Sequence, residues 1–286
     1  MKTGSINIEG VKLAYRQQGR GPATIIFIHG NSSCKDAFTR QFDHFKRPPF
    51  SLFGKPNYRI IAFDLPGHGQ SSNAVTPETT YTFPGYAQIL NQAINRLGIK
   101  NYILAGWSLG GNIALEMAGG DLQSPNSAFK GLMIFGAPPV GPGPENVEKA
   151  FLPATLESAV GSSQATEEQL AAFVKAAYGT LDPIPDIYYQ CAKRTDAIAR
   201  EVMVSHWFSG IGGHRQIETV AKWQKPICVV HGIQDVFVAL DYLKQAPWKN
   251  LWQNKIFELP QCGHAPFLED PDAFNAILEN FIRDEL

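Results

Sequence analysis

Ser108 stands in Gly106-Trp107-Ser108-Leu109-Gly110, a serine with a glycine two positions to either side. A serine hydroxyl is a poor nucleophile until a base takes its proton. The pattern G-x-S-x-G supplies the geometry for that when it joins a strand to a helix. The turn is too tight for side chains at the flanking positions, and it lifts the hydroxyl off the sheet end. The N-terminus of the following helix then points at the reacting atoms. Read without context, the five residues are an ordinary Gly/Ser turn. The buried run Tyr102 to Ala105 before them and the helical stretch Asn112 to Ala118 after them favour the chemical reading.

A nucleophile of this kind needs a histidine and a carboxylate, in the chain order nucleophile, acid, histidine. The histidines after Ser108 are His206, His214, His231 and His264. His264 lies in Gln261-Cys262-Gly263-His264-Ala265-Pro266-Phe267, between the last expected strand and the last helix. His231 ends a strand and is its rival. Asp235 follows the run Ile227 to Val230 by a short turn, and its rival Asp241 falls in the next helix. The other place for an acid, after Leu132 to Phe135, reads Gly136-Ala137-Pro138-Pro139 and holds no carboxylate. Ser108, Asp235 and His264 are therefore the expected catalytic residues.

Acyl transfer also needs two donors aimed at the developing oxyanion. The backbone N–H of Leu109 is one. The other is expected from Asn31 in Phe27-Ile28-His29-Gly30-Asn31-Ser32-Ser33, with the Asn31 side chain also near substrate. His29 and His68 read as histidines bonded within their loops, and Asp64 as a turn-stabilising residue.

These residues need a frame. Val11, Leu13 and Tyr15 alternate with polar neighbours, as in an antiparallel edge strand. The runs Thr24 to Ile28, Arg59 to Phe63, Tyr102 to Ala105, Leu132 to Phe135 and Ile227 to Val230 are continuously apolar, as in parallel strands covered on both faces. Ile256, Phe257 and Leu259 suit one more strand. Tyr86, Ile89, Leu90, Ala93, Ile94 and Leu97 form a helical stripe stopped by Gly98. Phe274, Ile277, Leu278, Phe281 and Ile282 form another, begun by Asp270 and Pro271. The alternation implies an α/β fold with a mostly parallel central sheet flanked by helices.

From Val140 to Arg215 no strong strand is expected. Thr166 and Gln169 suit a capping box, Thr195 to Phe208 a helix, and Gly210, Gly212 and Gly213 its end and a place for movement. The expected division is a core of residues 1–139 and 216–286 with a helical cap insertion, 140–215. The insertion is rich in aromatic residues. Phe173, Tyr188 and Trp207, with Asn31 and Trp107, are the expected substrate contacts; Tyr178, Tyr189 and Phe208 stand beside them.

Net charge is −1, which makes nucleic acid and anionic membrane surfaces poor partners. The first residues lack the apolar run of a signal peptide, and no apolar run is long enough to span a bilayer. The four cysteines show no regular spacing and read as free thiols in a reducing cytoplasm. The seven histidines are dispersed, so neither a metal nor another cofactor is expected. The expected partner is a small acyl compound, bound by a monomer or small homo-oligomer.

HGN, DLPGHG, GWSLGG and GHAPF occur in the order of the α/β-hydrolase superfamily, which the chain resembles over essentially its whole length. More narrowly, HGNSS, GWSLGG, GAPPV, KNLW, GHAPF and the final FIRD are similar to serine-dependent N-acyl-homoserine lactonases. That resemblance implies opening of the lactone ring of bacterial quorum-sensing signals. It carries the triad to Ser108, Asp235 and His264 and the oxyanion donors to Asn31 and Leu109. This chain departs from the subgroup in having aspartate where a member has glutamate, and in its cap. A carboxylesterase, a carbon–carbon bond hydrolase and a ligand-binding receptor with incidental turnover are the competing readings.

Overall fold

The apolar runs assemble into one sheet. The computed structural model describes residues 1–46, 58–141, 143–156, 161–209 and 213–286. Its strands are β1 (Lys2–Ile8), β2 (Val11–Gly19), β3 (Ala23–Ile28), β4 (Tyr58–Phe63), β5 (Tyr102–Trp107), β6 (Phe129–Phe135), β7 (Ile227–Gly232) and β8 (Leu251–Leu259). They lie in the order β1-β2-β4-β3-β5-β6-β7-β8. All neighbours are parallel except β1–β2 and β2–β4. Every residue of β3, β5 and β7 is buried, as parallel strands covered on both faces require.

The strand read as an edge is not one. β2 sits between β1 and β4, and β1 forms the edge. Lys2–Ile8 carries few apolar residues, which hides it from a hydrophobic pattern. Its turn is still recognisable: Ile8 pairs with Val11 across Glu9 and Gly10, both at positive φ (49° and 81°), as the tightest hairpins demand.

Two helices begin at capping side chains, the second at the residue the sequence marks. The Thr82 hydroxyl accepts the Gly85 N–H at the start of Phe83–Arg96. The Asp270 carboxylate accepts the Ala273 N–H at the start of Pro271–Glu285. The almost wholly buried helix Leu109–Gln123 packs on Phe83–Arg96 and β5.

Segment 140–215 contains the helices Pro144–Ala150, Pro153–Leu156, Glu167–Ala177, Asp186–Arg194 and Ala197–Ser209. The Thr166–Gln169 capping box is formed in both directions. The ends of the segment meet: the Gln216 N–H donates to the Val140 carbonyl, and the Val140 N–H to Gln216 Oε1. Asn112, in the helix after Ser108, bonds the Gln216 side chain as well. Gly210 and Gly212 lie outside the described residues; Gly213 has φ +86°.

The expectation of four free thiols fails. Cys34 and Cys191 form a disulfide with Cα atoms 6.0 Å apart, joining the loop after β3 to the helix Asp186–Arg194. Partners 157 residues apart leave no spacing signal in the sequence. Cys228 and Cys262 are buried thiols. Among the described residues no helix is long and apolar enough to cross a membrane.

Candidate active site

At the end of β5 the chain turns at Ser108 with φ 52° and ψ −122°. Few residues other than glycine adopt positive φ, and such strain concentrates at functional positions. The flanking glycines are sterically required. A Cβ on Gly106 would lie 2.4 Å from the Gly110 carbonyl oxygen, and one on Gly110 would lie 2.1 Å from that of Ile28. The Ser108 N–H donates to the Phe135 carbonyl of the neighbouring strand at 2.9 Å. The next helix starts at Leu109, so by position its N–H has no intrahelical acceptor.

Asp235 and His264 come from adjacent loops, after β7 and β8. His264 Nδ1 lies 2.9 Å from Asp235 Oδ2, while Asp235 Oδ1 accepts the N–H groups of Phe237 (2.8 Å) and Val238 (3.2 Å). A nitrogen facing a carboxylate carries the proton, which leaves Nε2 as the basic nitrogen. Burial opposes ionisation of Asp235. The imidazole of His264, with smaller contributions from His231 and the Phe237 N–H, outweighs it and holds the carboxyl below the usual carboxylate range. The His264 loop is fixed from outside too: the Trp107 indole N–H donates to the His264 carbonyl at 2.7 Å, and the Gln234 N–H to that of Cys262 at 2.8 Å. His231 is buried in β7 and does not border the cavity described below. Asp241 is exposed on the helix Leu240–Gln245.

The loop after β3 lies against the elbow. A Cβ on Gly30 would be 3.1 Å from that of Ser108. Asn31 is buried, and its Oδ1 accepts the Ser32 hydroxyl at 3.3 Å. His29 braces the loop: Nδ1 bonds the Gly30 carbonyl at 2.7 Å and Nε2 accepts the Leu65 N–H at 3.0 Å. Burial lowers the pKa of His29 to about 4 and that of His68 to about 3, so both are neutral at pH 7. Asp64 does more than stabilise a turn. Its carboxylate takes the Lys35 backbone N–H (2.7 Å), the Lys35 ammonium (2.8 Å) and the Gln70 N–H (2.9 Å), a buried ion pair beneath the loop.

Ser108, Leu109, Asn31 and His264 border a cavity of about 50 Å³. Segment 140–215 covers it with Phe151, Phe173, Met203, Val204 and Trp207; Phe83 and Phe237 close its sides. Trp207 meets Phe151 edge-on at 4.7 Å and Phe83 at 5.7 Å. Two expected substrate contacts do not reach it. Trp107 is buried against Tyr178 and Phe267 and holds the His264 loop. Tyr188 stacks on Tyr178 at 4.2 Å, and the Tyr178 hydroxyl bonds Ser33 Oγ at 3.0 Å. These residues join the segment to the loop after β3 rather than to a ligand. Phe83, Phe151 and Phe237 were missed, since nothing in their sequence neighbourhoods sets them apart from core residues. Among the described residues no three His, Cys, Asp or Glu side chains converge as a metal site.

A strained serine between strand and helix, with an Asp–His pair beside it over a mostly parallel sheet, defines a class of protein. Comparison with known proteins places the chain in it: a model of the alpha/beta hydrolase family matches residues 25–277. The chain belongs to that family. Its structure is similar to that of a mutant of the N-acyl homoserine lactonase AidH complexed with N-hexanoyl homoserine lactone, with a TM-score of 0.88, 34% identity and coverage of 99% of this chain and 98% of that one. An esterase from Exiguobacterium antarcticum shares the fold at a TM-score of 0.76 and 19% identity, covering 96% of this chain and 97% of that one. A dihydrolipoyllysine-residue acetyltransferase component of an acetoin cleaving system from Cupriavidus necator is 25% identical over 280 residues, 96% of this chain and 68% of that protein.

Proposed function

We propose that the protein is a metal-independent serine hydrolase that opens the lactone ring of N-acyl-homoserine lactones, with Ser108, His264 and Asp235 as its triad. One observation carries the catalytic part: Ser108 and His264 border the same apolar cavity, with Asp235 on the imidazole nitrogen away from it. The substrate class is supported by the likeness to AidH across nearly the whole of both chains. Residues 1–139 and 216–286 act as the core and 140–215 as the cap.

The lactone carbonyl sits over Ser108 with its oxygen toward the N–H groups of Leu109 and Asn31. Ser108 Oγ attacks the carbonyl carbon as His264 takes its proton, and the oxyanion forms against those donors. His264 returns the proton to the ring oxygen as the C–O bond breaks, leaving an acyl-enzyme with the alcohol tethered to it. Water, activated by the same histidine, then releases the hydroxy acid. The tethered alcohol competes by closing the ring again, so the cavity must admit water promptly.

The acyl tail lies under Phe173 and Trp207. Each buried methylene contributes up to about 0.8 kcal/mol, roughly a fourfold gain in kcat/KM, until the small cavity is filled. The test is hydrolysis of acyl-homoserine lactones of increasing chain length beside simple esters of equal length. The expected result is lactone turnover that rises with chain length and then levels off. Inert lactones with active esters would replace this reading with a carboxylesterase. Binding at one equivalent without turnover would replace it with a receptor.

A further inference from the structure

Glu269 takes no part in the reaction just described, yet its carboxylate lies against the base loop. It ends the short helix Pro266–Glu269, whose turn brings the side chain back to Gly263, next to His264. One oxygen, Oε2, accepts the Gly263 N–H in a short hydrogen bond. The other, Oε1, is buried without a well-formed hydrogen bond and lies 3.2 Å from where a Gly263 Cβ would be. The N–H and hydroxyl of Thr180, in segment 140–215, approach the same carboxylate. The carboxylate thus stands between the loop that carries His264 and the segment that covers the cavity.

We propose that Glu269 is a positioning residue for His264: it holds the Gly263 peptide, presents a negative charge to the imidazolium formed during turnover, and links both to the cap through Thr180. The proposal rests on the reading of His264 as the base. The ionisable surroundings are few. Glu269 interacts electrostatically with His264, the smallest influence on it, and with the Cys262 thiol, on which Asp270 also acts; Asp235 and His231 interact with His264 from the β7 side. Of these, His264 is the group that becomes cationic in the reaction cycle. Burial raises the pKa of Glu269, while the Gly263 and Thr180 donors and His264 favour its charged form.

The sign follows. A carboxylate near His264 favours the protonated imidazole, and its removal favours the neutral base. Glu269→Gln should therefore move the acid limb of the kcat/KM profile to lower pH, by roughly half to one unit. It should also lower kcat about tenfold, because the imidazolium loses support and the loop loosens, with KM little changed. Glu269→Asp keeps the charge with a shorter reach: the limb should stay in place while kcat falls. A chromogenic butyrate ester serves as substrate for the full chain. In a Ser108→Ala background the histidine resonance that titrates at lower pH on Glu269→Gln should be that of His264, read by NMR without turnover. An unmoved limb and an unmoved resonance in Glu269→Gln overturn the proposal. If Glu269→Gln does not fold, Thr180→Val carries the test: a fall in kcat of a few fold at constant KM supports the link, and a silent Thr180→Val overturns it. Activity surviving in Ser108→Ala would defeat the triad reading instead, and the NMR outcome would still decide Glu269.

Discussion

His264 and Trp207 border one cavity but are held there by different means. Directional polar contacts fix the histidine and its loop: Asp235 on the ring, the Trp107 indole on its carbonyl, Gln234 on Cys262 and Glu269 on Gly263. Ring surfaces hold Trp207: Phe83, Phe151 and Phe208. The difference matches the roles proposed for the two residues. Proton transfer depends on angles and distances of a few tenths of an ångström, which hydrogen bonds set. Accommodating an acyl chain depends on volume, and apolar packing accepts substitution of similar volume at modest cost. Changes among the loops should therefore alter rate, and changes in the cover should alter preference among substrates.

Ser108→Ala is the most severe test on the loop side. Turnover should fall roughly 10⁴-fold or more while ligand still binds, measured by lactone hydrolysis and by calorimetry. Asp235→Asn should follow, with kcat down roughly 10³-fold or more, because the imidazole loses the partner that fixes its tautomer. Asp241→Asn should match the parent, and the reverse order would move the acid from one loop to the next helix. The smallest effect belongs to the cover. Trp207→Ala should leave kcat on the shortest lactone nearly unchanged and shift the plateau in kcat/KM toward longer chains, by about fourfold for each further methylene accommodated. An equal loss on every chain length would mean that Trp207 supports the catalytic loops, and the contrast between the two regions would collapse.

The same contrast governs what can be read from the sequence. Ser108, Asp235, His264 and the strands beneath them are legible because tight turns, close backbone approach and buried parallel strands each leave a local mark. Gly106 and Gly110 stand where any larger residue would collide. The cover leaves weaker marks. Phe173 and Trp207 reach the cavity while Tyr188 does not, and all three are aromatic residues in helices. The direction a ring takes depends on partners far along the chain, such as Phe151 for Trp207 and Tyr178 for Tyr188. The edge strand β1 escaped because only Ile6 and Ile8 in it are large apolar residues, and the helix Asp186–Arg194 because Pro183 and Pro185 interrupt the pattern before it.

The bond between Cys34 and Cys191 makes the covalent molecule a lariat. Its closed loop, with ends 157 residues apart in sequence, holds β4, β5 and Ser108, while Asp235 and His264 lie on the free tail. One backbone cut between the cysteines opens the loop but releases no fragment. One cut after Cys191 and before Asp235 separates Ser108 from Asp235 and His264. In the chain-entropy model, closing a loop of this length removes conformations from the unfolded chain equivalent to about 5 kcal/mol. Ser108 is thus confined even in the denatured protein, and Asp235 and His264 reach it by folding alone.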